Sequence, residues 1–294
     1  MTTAIIGLGF VGGAMFRSFK EKDVNVFGFD KYKKTIDMGP IEKCLEYPII
    51  FLCLPTLFDE INKMYNKDAI NEVCKFLSDN EYTGTVVIKS TVEPQTINLI
   101  CDDFTNLNIV HNPEFLTART AYNDFHNQTH IVLGRSKNCS NECFNRLYGF
   151  YAQYYPRALI SCSSSDESEC MKIFVNTFYS TKIQIFNEFY LLCQNMNVDY
   201  NRVKELMLKN KWFTPHHTHV PGPDGKLSYG GACFPKDTSA LLEHMKNLDS
   251  PHSVLESVVN ERKIMRPEEY NITTTNTKND NSINLEPELN FKNT

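Results

Sequence analysis

A chain of 294 residues, 41% hydrophobic and 22% charged, is long enough for about two domains and a sizeable core. Its formal net charge of -5 excludes general nucleic-acid binding, so an anionic ligand must meet a local basic site, and no run of about 18 apolar residues is present to cross a membrane. The ten cysteines are scattered without a CxxC pair, which predicts reduced thiols and a cytoplasmic setting rather than a disulfide framework.

Residues 3–9 read as a buried strand that begins almost at the first residue, which predicts no signal peptide. GLGFVGG comes next, with G-x-G-x-x-G on Gly7, Gly9 and Gly12, and opens a helix to about Lys22. A second strand, VNVFGFD, ends at Asp30. The glycine pattern alone is a weak signal, since any tight strand-to-helix turn satisfies it. Here a strand precedes it, a helix succeeds it, and an acid lies about 20 residues on, which is the whole context of a dinucleotide site. The glycines allow pyrophosphate to approach the helix N-terminus, and the Asp30 carboxylate would take ribose hydroxyls and repel a 2′-phosphate. The expected cofactor is therefore NAD rather than NADP.

YPIIFLCLP (47–55) and TVVIKS (85–90) are nearly continuous apolar runs, as parallel strands buried on both faces should be. NIVHNP (108–113), HIVLGR (130–135) and RALIS (157–161) continue the rhythm with helices between them. The strand ends carry LPT (Leu54–Thr56), KSTV (Lys89–Val92) and NPEFL (Asn112–Leu116). Ordinary turn chemistry explains any one of these. Three on the ligand side of one sheet point to a site.

Near residue 162 the texture changes. SCSSSDESE reads as a polar hinge, with Ser164 and Glu167 spaced as a capping box. One long helix is expected over 166–195, apolar round much of its circumference and so suited to burial between domains or subunits. Lys172 and Asn176 are one turn apart within it. The pair could donate hydrogen bonds to an oxyanion, or be a snorkelling lysine and a helix–helix hydrogen bond. A shorter helix spans about 200–209, and the Pro/Gly-rich loop to Gly231 holds His216, His217 and His219 without a second ligand pair, so no metal site is expected.

YGGACFPKD, Tyr229 to Asp237, organises the rest. Pro235 suits a first helical turn, which puts Cys233 just before a helix N-terminus, where the dipole and nearby Lys236 favour thiolate. Asp237 lies within one turn of the sulfur. A thiolate beside a carboxylate suits covalent catalysis and then activation of water, although a buried structural cysteine would fit a helix start equally well. Helices over 236–248 and about 252–266 complete the second domain. From Pro267 the chain holds seven Asn and five Thr among 28 residues, and a disordered tail is expected.

From Ala4 to about Arg266 the chain resembles the nucleotide-sugar dehydrogenases, the UDP-glucose/GDP-mannose 6-dehydrogenase family. The motifs stand in family order: GLGFVG, LPT, KSTV, NPEFL, the K-x-x-x-N helix with Asn187–Glu188, VPGPDG and GGACFPKD. The resemblance implies an α/β fold, with an N-terminal Rossmann-type parallel sheet (1–161) and a helical central domain (162–266) carrying the cysteine. It implies Cys233 as nucleophile, Asp237 and Glu114 as candidates to activate water, Lys172 and Asn176 as oxyanion donors, and Thr91 as a positioning group. Cofactor contacts would fall on Gly7, Gly9, Phe10, Val11, Gly12, Asp30, Leu54, Pro55, Thr56 and Thr91. Substrate contacts would fall on Glu114, Phe115, Leu116, Lys172, Asn176, Tyr229, Gly230 and Gly231. The implied reaction is two successive oxidations of a UDP-sugar by NAD, UDP-glucose to UDP-glucuronate; separately, the apolar surface of helix 166–195 predicts a homodimer formed through it. Two other readings stand beside it: a GDP-mannose 6-dehydrogenase, and a non-catalytic NAD-binding homologue. Ala118 stands where many members carry a second acid, and the Asn/Thr-rich tail stands where members carry a third, nucleotide-holding domain.

Overall fold

The computed structural model describes residues 1–33 and 39–267; the segment expected to be a disordered tail lies, from residue 268 on, outside them. The chain forms two compact units, one of residues 1–179 with 231–252, the other of residues 180–230 with 253 onward.

The first unit is an α/β layer structure. In chain order it holds β1 (Thr2–Ile6), α1 (Phe10–Glu21), β2 (Asn25–Phe29), β3 (Ile49–Leu52), a small antiparallel hairpin of β4 (Phe58–Asp59) and β5 (Met64–Tyr65), α2 (Asp68–Asp79), β6 (Thr85–Ile88), α3 (Thr96–Asp103), β7 (Asn108–His111), α4 (Ala121–His126), β8 (His130–Arg135), α5 (Asn141–Tyr154) and β9 (Leu159–Ser164). Seven strands form one sheet in the order β2-β1-β3-β6-β7-β8-β9. The strands from β2 to β7 run parallel; β8 pairs antiparallel with β7, and β9 parallel with β8.

Strand alternation splits the apolar runs between two cores. Ala4, Ile50, Leu52, Val86 and Ile88 pack on one face with Ile70, Cys74 and Leu77 of α2 and Ile97 of α3. Ile5, Phe51, Val87 and Val110 pack on the other with Met15 and Phe19 of α1 and Phe150 and Tyr151 of α5. Both faces are covered, which is why these strands lack the polar alternation of a half-exposed sheet. All ten cysteines are free thiols.

The polar hinge expected near residue 162 is instead strand. Cys162, Ser163 and Ser164 pair with Leu133, Gly134 and Arg135, and α6 (Ser165–Asn195) begins at the next residue. An edge strand with one open side needs few apolar residues, so its serines carry no strand signal. The capping box does form: Ser164 Oγ accepts from Glu167 N at 3.2 Å, and Glu167 Oε2 accepts from Ser164 N at 2.8 Å. Gly134 is required where α6 leaves the sheet, since a Cβ there would meet Ser168 Oγ at 2.0 Å.

The second unit holds the later turns of α6, α7 (Tyr200–Leu208) and the loop to Gly230; α8 (Phe234–Asn247) lies in the first unit and α9 (Ser253–Met265) in the second. Phe186, Cys193 and Tyr200 form the second unit's apolar cluster. Asn187 Oδ1 accepts from Ser228 N at 2.9 Å, which pins the loop ahead of Tyr229 to α6. Arg266 closes the same loop with bonds to Leu227 O at 2.5 Å and Ser228 O at 2.9 Å.

Candidate active site

The cofactor end is built by backbone crowding. Gly7, at φ +90°, leaves β1 so close to β3 that a Cβ would lie 2.5 Å from Cys53 O, and a Cβ on Gly12 would lie 1.9 Å from Gly7 O. Gly9, at the N-cap of α1, has nothing within 4 Å of where its Cβ would stand, so the side open to a ligand is the helix N-terminus. No acidic side chain occupies the first turn of α1, which carries Phe10 and Val11. Asp30 stands just after β2, and its Oδ2 accepts from Leu8 N at 2.7 Å while Oδ1 accepts from Tyr32 N and Lys33 N. The carboxylate thus braces the glycine loop and keeps a lone pair on Oδ2 for a ribose hydroxyl. These residues fit a bound dinucleotide.

The three polar turns are tied to one another. Thr56 Oγ1 donates to Thr91 O at 2.8 Å and Ser90 Oγ to Leu54 O at 2.6 Å, joining the ends of β3 and β6 beside Pro55. Lys89, the first residue of KSTV, is 2% exposed and donates to Asn112 Oδ1 at 3.0 Å, joining β6 to β7. Burial pulls its ammonium down to about 8, against the Glu114 carboxylate, which holds it up.

The reacting end gathers on α8, α6 and the turn after β7. Cys233 is the N-cap of α8, with Pro235 in the first turn; the residue as a whole is exposed, while protein atoms crowd its sulfur. Asp237, one turn on, is wholly buried. Its Oδ2 accepts from Asn176 Nδ2 at 2.5 Å, and its Oδ1 accepts from Lys236 Nζ at 2.6 Å and from the Tyr65 hydroxyl at 2.5 Å. Tyr65 was missed in the sequence: an M-Y pair in a two-residue strand gives no hint of a partner 172 residues away. Lys172 Nζ lies 5.2 Å from the Phe115 ring centroid, and Phe115 stacks on His130. Leu116 turns towards the core, partly buried. Glu114 Oε2 is buried with no hydrogen-bond partner.

The expectation of a thiolate at Cys233 is corrected. Burial around the sulfur pushes the thiol above its ordinary range, and Asp237 and Glu114 add to this, while Lys236 and Lys172 pull the other way. Desolvation is the largest influence on the sulfur, and Lys236 is committed to Asp237. Gly231, at φ +77°, belongs to the first unit with Cys233; Tyr229 and Gly230 belong to the second, where Arg262 donates to Tyr229 O and a Cβ on Gly230 would meet Arg266. Among the described residues no cluster of His, Cys, Asp or Glu could hold a metal ion, and no helix is long and apolar enough to cross a membrane.

Two family models match in succession. Residues 40–152 match the NAD binding domain of the UDP-glucose/GDP-mannose dehydrogenase family and residues 166–262 its central domain, together more than half of the chain. The chain is similar to a GDP-mannose 6-dehydrogenase from Azotobacter vinelandii (28% identity, covering 85% of this chain and 66% of that one) and a UDP-glucose 6-dehydrogenase from Rickettsia bellii (31% identity, 69% and 46%). It therefore spans less than two thirds of the length of either curated relative. Its fold is that of a UDP-glucose dehydrogenase structure from Pyrobaculum islandicum, with TM-score 0.77 at 22% identity over 90% of this chain and 68% of that one.

Proposed function

The chain belongs to the UDP-glucose/GDP-mannose dehydrogenase family, with NAD as the family's cofactor, and we propose that it oxidises carbon 6 of a nucleotide sugar from alcohol to carboxylate. The observation that carries this reading is the bond from Asn176 to Asp237, one turn after Cys233, with Lys172 and Glu114 near enough to act on the Cys233 sulfur electrostatically. In the proposed division of labour the segment 1–161 binds NAD, through the Gly7–Gly12 loop, Asp30, the Leu54–Thr56 turn and Thr91, and the segment 162–266 carries the cysteine. NAD, when bound, takes up the hydride lost from carbon 6 in each oxidation.

The chain's own residues do the rest. After the first oxidation the Cys233 sulfur adds to the aldehyde carbon; a C–S bond forms, and the thiol proton passes to the aldehyde oxygen as a thiohemiacetal. Lys172 and Asn176 donate to that oxygen. Loss of the second hydride and the hydroxyl proton leaves a thioester. Glu114, with its unpartnered buried oxygen, takes a proton from water, which adds to the thioester; the C–S bond breaks and the thiol is restored as the carboxylate leaves.

UDP-glucose is the proposed substrate, supported by the VPGPDG loop. GDP-mannose is a second reading: a GDP-mannose 6-dehydrogenase aligns over 85% of the chain, while a UDP-glucose 6-dehydrogenase aligns over 90%. The test is NADH formation by the purified protein with NAD and a panel of UDP- and GDP-sugars. Two NADH per sugar and a carboxylate product are expected, with Cys233→Ser stalling as a covalent ester seen by intact-protein mass spectrometry. Full turnover by Cys233→Ala would end the covalent reading, and a wild type inert with every sugar would leave an NAD-binding protein without catalysis.

A further inference from the structure

The hydroxyl of Tyr65 has no part in the proposed reaction, yet it touches the carboxylate beside the nucleophile. Asp237 Oδ1 takes two donors, Tyr65 and Lys236, and the Lys236 ammonium lies 4.5 Å from the centroid of the Tyr65 ring. One tyrosine thus contacts both charges of the ion pair. It is itself held: Tyr65 N donates to Glu93 Oε1 at 2.5 Å, and Glu93 Oε2 accepts from Lys67 at 3.0 Å. Glu93 stands two residues after Thr91, so the β4–β5 hairpin is anchored to the same turn that closes the site. Tyr65 is 1% exposed. A buried hydroxyl needs some acceptor, but a carbonyl would serve; here the acceptor is a wholly buried charge next to the cysteine.

We propose that Tyr65 is a positioning residue for Asp237, its hydroxyl fixing Oδ1 and drawing the carboxylate's charge away from the Cys233 sulfur. The proposal rests on the reading of Cys233 as nucleophile. The ionised groups that act on that sulfur are Lys236 and Asp237 on α8, Lys172 on α6 and Glu114 after β7. Asp237 disfavours the thiolate, and a carboxylate deprived of its hydroxyl donor disfavours it more. Loss of the hydroxyl therefore moves the ionisation of Cys233 to higher pH.

Tyr65→Phe is the test, because phenylalanine keeps the ring under Lys236 and removes only the donor. The rate of Cys233 alkylation by iodoacetamide is tracked against pH by peptide mass spectrometry on the full chain. The midpoint is expected to rise by roughly half a unit to one unit. It is expected not to rise when Tyr65→Phe is added to Asp237→Asn. A fluorotyrosine at position 65, a stronger donor of almost the same shape, should move the midpoint the other way, and it answers the question if Tyr65→Phe does not fold. An unchanged midpoint in both replacements, or an equal rise in the Asp237→Asn background, overturns the proposal and leaves Tyr65 as packing. In turnover, Tyr65→Phe should lower kcat by roughly tenfold to a hundredfold with little change in sugar KM. A wild type inert with every sugar would defeat the dehydrogenase reading alone, because alkylation needs neither NAD nor sugar.

Discussion

Glu114 and Asp237 are both carboxylates beside one sulfur, yet their surroundings fit them for different work. Asp237 takes three side-chain donors, which fix the carboxylate and occupy the lone pairs that a water would have to meet. Glu114 keeps a buried oxygen without a partner, so a water can hydrogen-bond to it. Glu114→Gln should therefore let the thioester form and then accumulate, with steady turnover down roughly 10²–10⁴-fold; Asp237→Asn should slow turnover without an adduct building up. Mass spectrometry of the protein during turnover separates the two, and an adduct in Asp237→Asn but not in Glu114→Gln would reverse the assignment. A second residue-scale prediction concerns Gly12. An added Cβ would meet backbone, Gly7 O, so the loop itself must move. Gly12→Ala should cost roughly 1–3 kcal/mol of stability and most of the NAD affinity. Thermal unfolding and calorimetric titration with NAD check both, and unchanged NAD binding would mean that the loop does not hold the cofactor.

At the scale of elements, α6 caps α3. Glu169, fully buried, accepts from Gln95 N at 2.8 Å and Ile97 N at 2.7 Å, two of the donors a helix start leaves unpaired. Burial nonetheless pushes its carboxyl up to about 8, against the pull of those two N–H groups. An acid whose folded pKa is raised binds its proton more tightly in the folded chain. Its stabilisation is whole below the unfolded value near 4.5 and is lost as pH rises through about 8. Between these limits the wild type should lose melting temperature relative to Glu169→Gln, since His111, whose folded value burial lowers to about 3, contributes its opposite slope to both proteins; parallel curves would show that Glu169 does not titrate there. Nothing in the sequence singled out Glu169, because it is one of three acids in the run DESE, residues 166–169, that opens α6. The elements that the sequence does show well have a repeating signal: the buried strands through their apolar runs, α6 through its unbroken length, α8 through Pro235. The reversal of β8 and β9 was hidden because apolar patterning carries no strand direction. In the site the same division holds. Cys233, Asp237, Lys172 and Asn176 stand in ordered motifs, whereas Tyr65 reaches Asp237 only through tertiary folding.

For the whole molecule, the question is whether the sheet can stand without the helices C-terminal to it. A division at residue 161 looks natural in the sequence, where polar residues succeed the last apolar strand. The first compact unit runs on to Tyr179 and includes residues 231–252, past the change between the two family models at 152–166. A chain ending at residue 161 would lose the pairing of Cys162, Ser163 and Ser164 with β8. It would strip Gln95 N and Ile97 N of Glu169, and His111 Nδ1 of the Ser168 hydroxyl at 2.7 Å. The Tyr65 hydroxyl would lose Asp237 as well. Each buried polar group left unpaired costs about 1–3 kcal/mol, so these four alone approach the roughly 5–15 kcal/mol by which whole domains are stable. Some would find water, which lowers the sum but not its sign. Residues 1–161 expressed alone should accordingly melt at least about 10 °C below the full chain, or fail to fold, and bind NAD weakly or not at all. Circular dichroism melting and calorimetry with NAD give the answer. A cooperative transition close to that of the full chain, with NAD affinity kept, would show instead that the nucleotide-binding sheet is independent and that α6 and α8 only rest on it.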